Sequence, residues 1–153
     1  MARFFLRLLC WEWKDIPLDG YAINTTFGRV KKNFLNKIME ICGISGMTFD
    51  GVVFVAYDKW QSRVAEPIQE GHKSKFIIHE QVHHRQVVET GWFPFHMMKY
   101  LGIYAGIYFF KWNQHAYWDH PYEREARQIA GQEDPYDWKS RGLNRWLPCF
   151  LRK

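Results

Sequence analysis

His79, Glu80 and His83 stand in the order His-Glu-x-x-His. On a helix, residues four apart lie on one face, one turn above the other, so both imidazoles can reach a single ion; Zn2+ accepts His nitrogens at about 2.0–2.1 Å. Glu80 sits beside that face, where a carboxylate can take a proton from water without being a ligand, as peptide hydrolysis requires. A catalytic zinc site has three protein ligands and an open position. The third is sought in His120-Pro121-Tyr122-Glu123-Arg124-Glu125-Ala126, where Glu123, in the first turn of a helix, is the choice and His120 the weaker alternative. Glu125 lies about 200° around that helix from Glu123, so one helix does not readily present both to one ion.

Elements must hold these groups in place. Ser74 and Gly91 bracket a helix from about Lys75 to Thr90, with Ser74 as N-cap and Gly91 at the C-terminal cap. Ahead of it, Thr48 to Tyr57 is strand material around Val52-Val53-Phe54-Val55, and the polar stretch from Asp58 to Lys73, with Pro67 and Gly71, reads as a loop. Phe27, Val30, Phe34, Ile38 and Ile41 recur at spacings of three and four up to Gly43, which predicts an N-terminal amphipathic helix. Further helices are expected from Phe95 to about Trp112, and from Pro121 towards Gly131. The fold class is therefore α+β, mainly helical, with a small sheet before the HExxH helix.

The 153 residues suit one domain, with a core of about 48–131 between an N-terminal helical extension and a C-terminal tail. Lys139, Arg141, Arg145, Arg152 and Lys153 carry the whole net charge of +5, and Trp146, Leu147, Phe150 and Leu151 lie among them. Residues 139–153 are thus suited to an anionic surface, while no specific nucleic-acid recognition is expected. Cys10, Cys42 and Cys149, an odd number at wide spacings, form no CxxC pair and so indicate neither a thiolate cage nor a disulfide framework. No signal peptide is recognisable, and the Trp92–Trp112 stretch is interrupted by Pro94, His96 and Lys99, so a cytoplasmic or virion-associated protein is expected.

The chain resembles the compact gluzincin metallopeptidases, in which HExxH is followed by a Glu on a later helix. More narrowly, it is similar to small phage and bacterial zincin-like proteins. The likeness rests on Val52 to Val55, His79 to Gln86 as HExxHxxQ, the aromatic Phe95 to Trp112 region, and Pro121 to Ala126. It implies a zincin-like domain, with His79, His83 and Glu123 as zinc ligands and Glu80 as general base. Many gluzincins carry an acid four residues after the ligand Glu, orienting the first His. Arg127 stands there in this chain, which leaves Asp119 and Glu125 as substitutes.

The expected activity is zinc-dependent hydrolysis of a protein or peptide substrate, with zinc-activated water and Glu80 moving the proton. His115, Tyr117 and His96 have the right chemistry to stabilise the developing oxyanion, and the Val52–Val55 strand could hold an extended peptide by edge pairing. His84, about 100° around the helix from His83, is expected to face solvent or support a ligand, and His72 falls in the loop. The alternative is a non-catalytic zincin-like binding or structural module, such as a phage or virion assembly component, in which zinc staples the helices.

Overall fold

The computed structural model describes residues 6, 8–110 and 120–132, with the side chains of Cys42, Phe109 and Phe110 excepted. The fold is α+β. Four strands, β1 (Cys10–Pro17), β2 (Asn24–Val30), β3 (Gly46–Phe49) and β4 (Val52–Val55), form one sheet in the order β1-β2-β4-β3. Helix α1 (Phe34–Cys42) separates β2 from β3. The β2–β4 pair is parallel, and the pairs at either side are antiparallel.

Both sheet faces are covered. Ile16, Phe27, Val53 and Val55 pack on Trp60, Val64, Phe76 and Ile77, whereas Cys10, Val30, Val52, Phe54 and Ala56 pack on Leu6 and Met39. All four residues of β4 are consequently buried, which is why this strand reads as an unbroken apolar run.

The expected N-terminal helix is corrected. Phe27 and Val30 belong to β2, and α1 starts only at Phe34, where the Asn33 side chain accepts from the Asn36 backbone N–H at 3.3 Å. A spacing of three suits one helical face, but in a strand it sends side chains to opposite faces. Phe27 and Val30 accordingly enter the two different cores. Strands β1 and β2 thus stand where a helical extension was expected.

The Asp58–Lys73 segment is likewise more than a loop. It contains a π-helical turn, Gln61–Ala65, and a short helix, α2 (Glu66–Gln69), with Pro67 in its first turn. Trp60 and Val64 anchor it in the core.

Three longer helices follow: α3 (Lys75–Thr90), α4 (Phe93–Phe110) and α5 (Pro121–Ile129). The observed α3 has the expected limits, and α5 starts at the expected Pro121. The described part of α4 begins two residues earlier than expected, and Trp112 lies outside the described residues. Helix α4 exposes Phe95, Met98, Leu101 and Tyr108, yet no helix among the described residues is long and apolar enough to cross a membrane.

Candidate metal centre

Helix α3 is fixed at both ends and along its inner side. The Ser74 hydroxyl accepts from the Ile77 N–H at 3.2 Å and donates to the Arg63 carbonyl at 2.6 Å, while Gly91 closes the C-terminus in the left-handed conformation at φ 81°. Phe76 and Ile77 enter the core just ahead of the HExxH motif. Gln81 donates from Nε2 to the Pro17 carbonyl at 2.8 Å and accepts from Lys73 at 2.9 Å, tying the helix to the end of β1.

His84 is buried, which removes the solvent-facing one of its two expected placements. Its Nδ1 lies 2.8 Å from the Thr25 hydroxyl, and burial lowers its pKa below the ordinary value. The ring fills the space beneath the Asp50-Gly51 turn joining β3 to β4, where a Cβ on Gly51 would come within 2.7 Å of Nε2. Both turn residues have positive φ, 47° and 79°, the backbone of a two-residue hairpin loop.

His79, His83 and Glu123 converge. The two Nε2 atoms lie 3.1 Å apart; Glu123 Oε1 is 3.4 Å from His83 Nε2, and Oε2 is 3.5 Å from His79 Nε2. Pro121 starts α5 and places Glu123 in its first turn, where the residue is 4% exposed. Burial alone would raise the pKa of Glu123, but the neighbouring imidazoles of His79 and His83 hold it well below the usual carboxylate range. Burial would likewise lower His83, yet the Glu123 carboxylate outweighs it and pushes this imidazole up to about 9.

Glu123 Oε2 and His79 Nδ1 are nevertheless buried without a hydrogen-bond partner among the described residues. These three residues are a donor set that can hold a metal ion. Glu80 stands beside it without belonging to it. Its side chain turns to β3, where the Thr48 hydroxyl donates to Oε2, and a Cβ on Gly46 would meet Oε1 at 3.3 Å.

Two residues given no role from the sequence support the donors. Gln86 Oε1 lies 3.0 Å from His83 Nδ1, and the Tyr100 hydroxyl donates to Glu123 Oε1 at 3.1 Å. Burial and the neighbouring carboxylate both raise the Tyr100 pKa, so its phenol stays a donor. The HxxQ spacing was the available signal for Gln86, since residues three apart meet on a helix. Tyr100 had none, being brought to Glu123 by the packing of another helix.

The remaining expectations fall out differently. His120 is wholly buried and caps α5: Nδ1 accepts from the Tyr122 N–H at 3.3 Å and Nε2 donates to the Tyr100 carbonyl at 3.0 Å. Both its nitrogens are thereby used, which removes it as a ligand. His96 is buried, stacks on Tyr122 at 5.0 Å between centroids, and lies 3.3 Å from the Thr90 hydroxyl. Glu125 reaches neither His79 nor the donor set; it accepts from Arg85 and, at 2.9 Å, from Gln86 Nε2. Arg127 is buried on α5, one turn beyond Glu123. His115, Tyr117, Asp119 and the basic 139–153 stretch lie outside the described residues. No protein family matches the chain, and no curated protein or solved structure matches it either.

Proposed function

We propose that the chain is a zinc-dependent metallopeptidase of the gluzincin type. The observation that carries this reading is the spacing of the three donors. Ligands held tetrahedrally at about 2.0–2.1 Å from one Zn2+ stand about 3.3 Å apart, and the pairs here are 3.1, 3.4 and 3.5 Å apart. Two imidazoles and one carboxylate are also the donor set of known catalytic zinc sites.

Zinc held by His79, His83 and Glu123 supplies Lewis acidity, polarising a carbonyl and making water easier to deprotonate. Glu80 takes the proton of the attacking water and returns it to the leaving amine, a role for which its place beside the donors suits it. Thr48 holds the carboxylate towards β3 through its hydroxyl. Because Val52–Val55 lies inside the sheet, the substrate rim passes from β4 to β3, the strand at the sheet edge. An extended peptide added alongside β3 by backbone pairing would run past Thr48, and so past Glu80.

Elemental analysis of the purified protein tests the metal, with one zinc per chain expected and none in His79→Ala. Glu80→Gln is expected to keep the zinc and the melting temperature, and to lower cleavage of an unstructured protein substrate by about 10²–10⁴-fold. Retained zinc in a wild-type protein that cleaves no substrate of a broad peptide library would instead favour an ion that staples α3 to α5.

A further inference from the structure

We infer that Gln86, oriented by Glu125 and Tyr122, is a positioning residue that fixes His83 as an Nε2 donor. The inference rests on the metal-centre reading above. Gln86 follows His83 by three residues on α3, and its side-chain amide meets groups on both sides. Nε2 donates to the Tyr122 carbonyl at 3.2 Å and to Glu125 Oε2 at 2.9 Å.

Both of those partners are acceptors, so a reversed amide would set oxygen against two oxygens. Oε1 therefore faces His83 Nδ1, 3.0 Å away, and must accept from it. The His83 proton is kept on Nδ1, and the lone pair of neutral His83 falls on Nε2, the atom directed at His79 and Glu123. Arg85 donates to Glu125 from the other side, holding the carboxylate that holds the amide. The chain of contacts runs Arg85 to Glu125 to Gln86 to His83. It joins α3 to the same helix, α5, that brings Glu123, so docking α5 both supplies one donor and sets the tautomer of another.

His79 differs from His83 in this respect. Its Nδ1 is buried without a hydrogen-bond partner among the described residues, so of the two imidazoles only His83 has its outer nitrogen bonded to a side chain there.

Two measurements test this. Competition with a chromophoric chelator gives zinc affinity; Gln86→Leu, similar in volume but without an acceptor, is expected to weaken it by about 10–100-fold. Gln86→Glu alone places two carboxylates together and should weaken it as well, whereas Gln86→Glu combined with Glu125→Gln restores a donor opposite an acceptor at position 125, though not at the Tyr122 carbonyl, and should recover part of the lost affinity, binding zinc more tightly than either single Gln86 variant. A residue that merely packs would give no such recovery. Unchanged affinity in Gln86→Leu, or a combined variant no better than the singles, overturns the inference. Proton NMR of the metal-free protein supplies the second readout, a His83 Nδ1–H that exchanges slowly with water in wild type, where Gln86 Oε1 holds it, and rapidly in Gln86→Leu. If wild type binds no zinc, the proposed function fails on its own, and this proton still decides for or against the role of Gln86.

Discussion

Glu123 is buried beside two imidazoles, and burial by itself would drive its carboxyl towards the neutral form. The imidazoles reverse that tendency, while the carboxylate in turn raises His83 to about 9. In the metal-free chain a proton on His83 thus provides the positive charge that an ion would otherwise bring. The carboxylate needs a further donor, and the Tyr100 hydroxyl is the one that reaches Oε1. A hydrogen bond to a buried charged acceptor contributes about 1.5–3 kcal/mol. Tyr100→Phe should therefore lower the folding stability of the metal-free protein by that amount, read as an earlier midpoint in urea; an unmoved midpoint would show that the hydroxyl does not support Glu123.

At the scale of elements, the seam between β3 and α3 decides where Glu80 lies. Gly46 makes that seam possible, because a Cβ there would come within 2.5 Å of the Phe76 ring and 3.3 Å of Glu80 Oε1. Phe76 is buried and cannot give way freely, so Gly46→Ala is expected to cost about 1–3 kcal/mol through overpacking, measured by thermal unfolding. A melting temperature equal to wild type would mean that β3 can lift from the helix.

How far these elements could be read from the chain follows from where their determinants lie. The limits of α3 are local: Ser74 bonds three residues ahead and Gly91 adopts the left-handed cap. The candidate donor set shares that advantage, two of its members by a spacing within α3 and the third by Pro121 beginning α5. Strand β2 is different, because it is defined by pairing with β1 and β4, and its Phe27 and Val30 also continue a helical period into α1. Tyr100 was silent for the same reason, since its partner Glu123 stands on another helix, whereas Gln86 meets His83 within α3 and only its contacts to α5 were hidden.

For the whole molecule, the donor set couples α3 to α5, which are otherwise joined by side-chain contacts such as Gln86 to the Tyr122 carbonyl. An ion that binds only the assembled set stabilises the folded chain by about 2.7 kcal/mol at a hundred times its dissociation constant. For a domain of this size that corresponds to a rise of about 5–10 °C in melting temperature. Differential scanning calorimetry with zinc should show this rise, a chelator should reverse it, and His79→Ala should lose it. A wild-type melting temperature indifferent to zinc would count against an ion joining the two helices.

Helix α5 is the last described element, and it alone carries Glu123. A ribosome therefore releases both imidazoles of α3 well before the carboxylate that completes the set. A nascent chain halted before Pro121 owns two donors, and three meet only when α5 has emerged and packed on α3. Capture of an ion by this set would therefore have to wait until α5 has been made.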